Sequence, residues 1–293
     1  MTRRPHITRM LNVLLVIVAA LVLVVVATRW HGSSRWAART QALRSELVAA
    51  RVPITARAVD FAELEGLPAP VQRFFRAVLT DGHPLIAAVH LRHTGTFNMS
   101  ETAEQWRAFT SDQQVVIQRP GFDWDGRIAM LPGLPVHVHD AYVAGEGVLH
   151  ASLLGAVVVA DLRGGGDIAQ GELMRFLAEA TWYPTALLPS QGVRWTGIDD
   201  RSAWATLTDG SVSVALRFTF HPDGPVDTVF AEARARTVGG TLVPTPWQGR
   251  FWNYEDRGGV HVPIDGEVAW LLPAAPKPYW RGHMTEIAFQ FAQ

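Results

Sequence analysis

The chain has no cysteine in 293 residues. That excludes a disulfide framework, a thiolate metal site, a cysteine nucleophile and a cysteine-borne lipid anchor. It also lacks an excess of either charge: 26 basic against 27 acidic residues leave a formal net charge of -1. Nucleic acid is thereby excluded as a partner, since phosphate binding needs a basic stripe. Lysine occurs once, as Lys277, so the basic residues are nearly all arginine. The common catalytic signatures are missing as well. There is no Gly-x-Ser-x-Gly elbow and no His-Glu-x-x-His. The glycine-rich "DLRGGGDIAQGE" fits neither a P-loop nor a dinucleotide fingerprint, so the sequence implies no cofactor.

What is present begins with one long hydrophobic run, "LNVLLVIVAALVLVVVAT", Leu11–Thr28. As a helix it spans ~27 Å, close to the ~30 Å hydrocarbon core of a bilayer. It ends in Thr28-Arg29-Trp30, not in the small residues of a cleavage site, which suits an uncleaved anchor with an interfacial tryptophan. Arg3, Arg4 and Arg9 before the run nearly balance Arg29, Arg35 and Arg39 after it. A short tail before a first span ordinarily stays inside, which places the body outside the cytoplasm. The expected organisation is a tail (1–9), a single transmembrane anchor in the cell membrane (10–29), a helical stalk (30–60) and a body (61–293).

The stalk, "SSRWAARTQALRSELVAARVP", reads as a helix capped by Ser33 or Ser34 and stopped before Pro53. In "LPAPVQRFFRAVL", Val71, Phe74, Phe75, Val78 and Leu79 form one apolar stripe, with Pro70 near the helix start. From about Val89 the period changes to two. "VSVALRFTF" sets Val212, Val214, Leu216, Phe218 and Phe220 on one face, between Asp-Gly turn signals at 209–210 and 223–224. Strands are further expected at 89–97, 114–119, 122–130, 136–143, 147–153, 193–198, 202–208, 228–236, 248–255, 266–271 and 282–291. Short strands joined by tight turns make an antiparallel meander. The fold class is therefore α+β: a transmembrane helix, then a large curved antiparallel β-sheet, a half-barrel or open barrel, with amphipathic helices on its concave side.

One helix, expected over 168–183, interrupts the strands. In "GELMRFLAEATWYPTALLP", Leu173, Phe176, Leu177 and Ala180 share the face that presses on the sheet. Glu172, Arg175 and Glu179 share the opposite edge, so Arg175 can bridge both carboxylates, with Trp182 and Tyr183 close by. Pro184 fixes the exit, and Asp167 is placed to cap the start. This edge reads as a surface ladder, or as a set of ligand contacts (Glu172, Arg175, Glu179, Trp182, Tyr183) at a pocket rim.

Other polar groups are less distinctive. His137 and His139 fall on one strand face and form a weak metal candidate, needing a third ligand such as Asp125 or His150; an exposed strand face explains the pair equally. Asp123 and Asp125 share a face with Arg127, their nearest sequence partner. Asp199-Asp200 reads as a turn. The tryptophans at strand and helix ends, Trp124, Trp182, Trp195, Trp204, Trp247, Trp252, Trp270 and Trp280, serve as core packing or cavity lining.

The blocks "LPAPVQRFFRAVL", "PGFDWDGRI", "HDAYVAGEG", "GELMRFLAEATWYPTALLP", "IDDRSAWATLTDG" and "GEVAWLLP…YWRG" resemble the successive signatures of an uncharacterised bacterial membrane-associated family, a domain of unknown function, over residues 64–291. That family brings no activity with it. At fold level the curled sheet is similar to periplasmic lipoprotein carriers and related lipid-binding half-barrels, a likeness that implies an apolar ligand. Three readings of function follow: a membrane-anchored envelope protein holding a lipid or other apolar small molecule, a ligand-free interaction or scaffold domain, and a hydrolase using a helix carboxylate with the histidine pair or an aspartate.

Overall fold

The structure is a computed structural model that describes residues 4–55 and 57–292, without the side chains of residues 4–8, Met10, Leu11, Leu21 and Val22. Arg3, and the side chains of Arg4 and Leu11, thus lie outside the described residues.

The N-terminal segment is one uninterrupted helix, α1 (Arg4–Ala49). Its first half is long and apolar enough to cross a membrane, and none of the described side chains in its apolar window is buried. No cap divides it: Ser34 is helical and its hydroxyl donates back to the Trp30 carbonyl at 2.9 Å. The expected stalk is not free. Gly32, Trp36, Leu43 and Leu47 form a buried stripe that packs on the sheet.

A short 3-10 turn at Phe61–Leu64 leads to α2 (Ala69–Val78), where Pro70 near the first turn costs no hydrogen bond. Its Val71, Phe74, Phe75 and Val78 are buried; burial of such side chains contributes roughly 1.5–3 kcal/mol each. Six strands follow: β1 (Ile86–Asn98), β2 (Trp106–Val116), β3 (Gly121–Leu131), β4 (Leu134–Val143), β5 (Glu146–Leu153) and β6 (Val157–Gly164). The third helix, α3 (Gly166–Glu179), separates them from β7 (Arg194–Asp199), β8 (Ser202–Asp209), β9 (Val212–Phe220), β10 (Val226–Val238), β11 (Thr241–Arg257), β12 (Val260–Leu271) and β13 (Pro276–Phe291).

All thirteen strands form one antiparallel sheet in the order β6-β5-β4-β3-β2-β1-β13-β12-β11-β10-β9-β8-β7. Two meanders thus meet at the pairing of the first strand with the last. The sheet is open, with β6 and β7 as its edges. It is also strongly curled, because α3 packs against β3–β6 of one wing and β9–β10 of the other. The wings touch where the Tyr142 hydroxyl of β4 donates to Asp209 of β8 at 2.9 Å. α3 therefore fills the concave side.

The alternation of β3 assigns the faces. Phe122 and Trp124 lie under the Arg175 guanidinium of α3, while Asp123 and Asp125 bond to α1. So α1 lies on the convex face and α3 on the concave one.

Several expectations are corrected, among them the starts of β11, β12 and β13, which lie six or seven residues earlier than expected. β6 was not expected at all; "VVVADLRG" is an edge strand with most residues exposed, so it carries no period of two. β2 begins at Trp106, not at 114, because Ser111 and Gln113 are buried on its concave face and break the hydrophobic alternation. Finally, α3 ends at Glu179 and hands over to 3-10 turns at Ala180–Trp182, Pro184–Leu187 and Pro189–Gln191. Its N-cap is Gly165 and no side chain caps it; Asp167 lies inside the first turn.

Candidate functional site

Leu173, Phe176, Leu177 and Ala180 are buried, as the helical wheel of α3 requires. The other edge of α3 does not face water. Glu172, Arg175 and Glu179, together with Trp182, line a cavity of about 550 Å³ between α3, β3–β6 and β10–β13. Its walls are mostly apolar: Trp124, Ile128, Val138 and Leu149 on one side, Trp247, Trp270, Tyr279 and Trp280 on the other.

The tryptophans stand where they do because of glycine. A Cβ on Gly126 would lie 2.0 Å from the Trp124 ring, and one on Gly282 would lie 2.1 Å from the Trp280 ring. Each ring thus lies along the sheet over the same-face glycine two residues on, a place that only the missing side chain leaves free. Trp247 and Gly249 repeat the spacing, with 3.6 Å from such a Cβ to the ring. Trp-x-Gly marks Trp124, Trp247 and Trp280 in the sequence but not Trp270, and Trp195-x-Gly197 of β7 has the same spacing without lining the cavity.

The polar wall is a charge network. Arg175 Nε donates to Glu179 Oε1 at 2.6 Å, and its Nη1 to Asp140 of β4. Gln113 Nε2 donates to the other Glu179 oxygen at 2.6 Å. Arg175 does not bridge Glu172; that carboxyl is met by Arg234 of β10, with Nη2 3.5 Å from Oε1. Arg234 in turn lies over the Trp247 ring and reaches the Tyr279 hydroxyl, which accepts from Trp247 Nε1 at 2.9 Å. Asp140, Arg234 and Tyr279 lie on strands remote in sequence from α3, and no local pattern marked them.

Burial sets the protonation states here. Glu172 is pushed well above the usual carboxylate range by burial first and by the Asp140 charge second, against a weaker pull from Arg234 and Arg175. No protein N–H or O–H reaches its Oε2. Burial thus favours its protonated form. Burial opposes the charge on Arg175, but Glu179, Asp140 and Glu172 together outweigh it and hold the guanidinium protonated. Tyr183 lies apart from this set: its hydroxyl donates to the Phe176 carbonyl at 3.0 Å, and it packs in the core instead of lining the cavity. His93 of β1 is fully buried against Trp182 and Trp280 with neither ring nitrogen bonded, and burial lowers it to about 3.

The histidine pair is on the other face. His137, His139 and His150 surround the Trp36 indole of α1, with His139 stacked on it at 4.0 Å between centroids. The indole donates to Asp125 at 2.9 Å, Thr40 meets His139 Nε2 at 2.8 Å, and His150 pairs with Asp161 at 2.9 Å. This is a buried helix seat and not an exposed strand face. Among the described residues no three His, Asp or Glu side chains are grouped to hold a metal ion. Asp123 pairs with Arg44 of α1 at 2.9 Å, so α1, and not Arg127, supplies the partners of the aspartates. Since Glu172 and Glu179 lie across the sheet from His137 and His139, a helix carboxylate and the histidine pair do not form one site.

Among solved structures, a LolA superfamily protein from Nitrosomonas europaea aligns over 77% of this chain and 94% of that one, at 11% identity and a TM-score of 0.38. A beta-barrel-like protein of a domain of unknown function (DUF1849) from Brucella abortus aligns over 70% and 99%, at 10% identity and a TM-score of 0.19. No curated protein matches the chain. Residues 65–289, nearly the whole body, match one family, and the chain accordingly belongs to the family of unknown function DUF6920.

Proposed function

We propose that this protein is a membrane-anchored carrier or receptor of the cell envelope that holds a lipid, or another apolar molecule with one polar end, in the cavity beside α3. The cavity itself carries the proposal: about 550 Å³, walled by tryptophan and aliphatic side chains, with its polar groups gathered on one wall. The apolar portion of the ligand lies against Trp124, Trp247 and Trp280. Its polar end meets Glu172, Arg175 and Arg234. In the protonated form that burial favours, Glu172 donates a hydrogen bond to an ester or hydroxyl oxygen, while Arg234 and Arg175 offer charge-assisted donors. The charges of Arg175 and Arg234 are balanced by Asp140 and Glu179, both in direct contact with Arg175, so the wall favours a neutral or zwitterionic polar end over a free anion. Membrane anchoring is supported by the length and apolar character of α1.

The test is organic extraction and mass spectrometry of the purified full chain, compared with Val138→Trp. Val138 lines the cavity from β4, so the larger ring fills the space. The expected result is an apolar molecule in stoichiometric amount with the wild type and its loss in a variant of unchanged melting temperature. Equal ligand content in both would refute the cavity as the binding place.

A further inference from the structure

The cavity opens at one end of the sheet. Its lining includes Phe97 and Met99 where β1 ends, Val136 where β4 begins, Val159 where β6 begins, Thr237 where β10 ends and Lys277 where β13 begins. The strand registers bring these ends together into a single rim. The rim is bordered by the turns between β3 and β4, β5 and β6, and β10 and β11.

That is also the end at which α1 joins the body. A Cβ on Gly32 would lie 2.2 Å from the Leu154 carbonyl oxygen, and one on Gly133 would lie 3.4 Å from Arg29 Nη1. The helix is thus seated on the β5–β6 turn and beside the β3–β4 turn at residues 29–32. At the opposite end, Leu47 packs on Gly121, where β3 begins. The apolar run stops at Thr28, about one helical turn from the Gly32 seat. From Thr28 back to Asn12 the helix continues for about 24 Å with no described side chain buried, since a helix rises 1.5 Å per residue.

The rim is moreover the place where the body leaves large apolar side chains in water. Met99, Leu131, Val157, Val158, Leu242 and Val243 are all exposed there, Leu131 and Val157 by about 60%. A soluble protein seldom leaves so many at one end without a covering surface.

We infer that this rim is a bilayer-contact surface: the body rests mouth-down on the membrane that holds its own helix, so the cavity exchanges its ligand with the lipid phase and not with water. The occupant of the rim is the headgroup and upper acyl region of the bilayer. The seat of α1 on the rim turns sets that plane, for Arg29 and Trp30 mark the interface, Arg29 lies beside Gly133, and Gly32 lies against Gly155. The apolar turns then enter the interface by about 5–10 Å, the depth usual for interfacial elements. The inference rests on α1 spanning the membrane, as proposed above, but it does not require the cavity to be filled.

The absence of cysteine allows a direct experiment on the full chain. Single variants Val157→Cys and Leu242→Cys on the rim, and Asp256→Cys at the far end of β11, are labelled with an environment-sensitive fluorophore. Leu242 and Asp256 share one strand and stand roughly 45 Å apart by strand rise. The proteins are reconstituted in phosphatidylcholine vesicles carrying a small fraction of headgroup-nitroxide lipid. Vesicle flotation of each sample reports whether α1 is inserted, and circular dichroism reports whether each variant is folded, with Leu131→Cys standing in for any that is not. The expected result is flotation of all variants, strong nitroxide quenching with several-fold protection from aqueous iodide at the rim sites, and neither at Asp256→Cys. Flotation with rim sites as open to iodide as Asp256→Cys overturns the inference and leaves the anchor standing. Failure to float overturns both. Iodide protection that rises with the protein-to-lipid ratio, without nitroxide quenching, identifies a second copy as the occupant and also overturns the bilayer assignment.

Discussion

Lowering the pH from 7 to 5 should destabilise the body through its buried histidines, and His93→Leu should remove about 2 kcal/mol of that loss. His93 is enclosed on the concave side, with burial as the chief cause of its fall to about 3 and the charges of Arg175 and His283 adding to it. His139 is lowered to about 3 as well, by burial and then by Arg39 and neighbouring cationic groups. Both folded-state values lie below the unfolded value of about 6.5, so the stability is complete above that pH and is lost as pH falls toward 3. At pH 5 the unfolded chain protonates each ring while the folded chain does not, a linkage loss of about 2 kcal/mol per histidine between pH 7 and 5. That figure depends mainly on the unfolded value, because both folded values lie well below 5. Asp123 acts in the opposite direction: burial raises it to about 6 despite Arg44, so protonation on acidification returns about 1 kcal/mol. The measurement is therefore the difference between wild type and His93→Leu in guanidinium unfolding at pH 7 and pH 5, in nonionic detergent and followed by tryptophan fluorescence. Leucine keeps the site apolar and similar in volume. The variant should lose about 2 kcal/mol less than the wild type. Equal losses would mean that the His93 ring is hydrated or paired, and the account of its site would be wrong.

Two further perturbations address the seat of α1. Gly32→Leu drives a side chain into the Leu154 carbonyl; overpacking of this kind costs about 1–3 kcal/mol, and limited proteolysis should cut between residues 29 and 50 in the variant alone. Arg44→Met leaves the fully buried Asp123 without its guanidinium, which should cost roughly 1–3 kcal/mol at pH 7, less than an obligate buried charge would because the carboxyl can protonate. Its penalty should shrink at pH 5, where Asp123 is already neutral in the folded state; a penalty independent of pH would show that the loss is one of packing.

Patterns that depend on residues close in sequence were legible, and those that depend on distant partners were not. The α2 stripe, the alternation of β9 and the two-faced character of α3 all follow from side chains within a few positions of one another. The curl of the sheet was also accessible, because so many strands cannot remain flat. β6 and the first half of β2 escaped because their residues do not alternate: one strand is an edge, the other carries Ser111 and Gln113 inward. For the site, the sequence marked Glu172, Arg175, Glu179 and Trp182 but paired them by helical spacing alone. Arg234 is 62 residues from Glu172, and only the curl brings the two together. Tyr183 was close to the ladder in sequence yet turned toward the core, since Pro184 and the 3-10 turns redirect the chain after Glu179.

The polar character of the α1 seat has a physical consequence of its own. The apolar contacts there are few and small: Leu43 and Leu47 against Val116, Ala141, Val143 and Val148. Such a surface alone would let a helix slide by one turn, about 5.4 Å, at little cost. The bonds from Arg44 to Asp123 and from the Trp36 indole to Asp125 do not allow it. A one-turn slide would leave the buried Asp123 without its partner, a loss of roughly 1–3 kcal/mol even when the carboxyl protonates, and would break the Trp36 bond as well, so these polar contacts contribute register more than stability. Register along α1 is also distance from the end of its apolar run to the cavity rim. Two aspartates on β3, each adjacent to the cavity residue Trp124, thus determine how far the mouth of the cavity stands from the hydrophobic half of the helix.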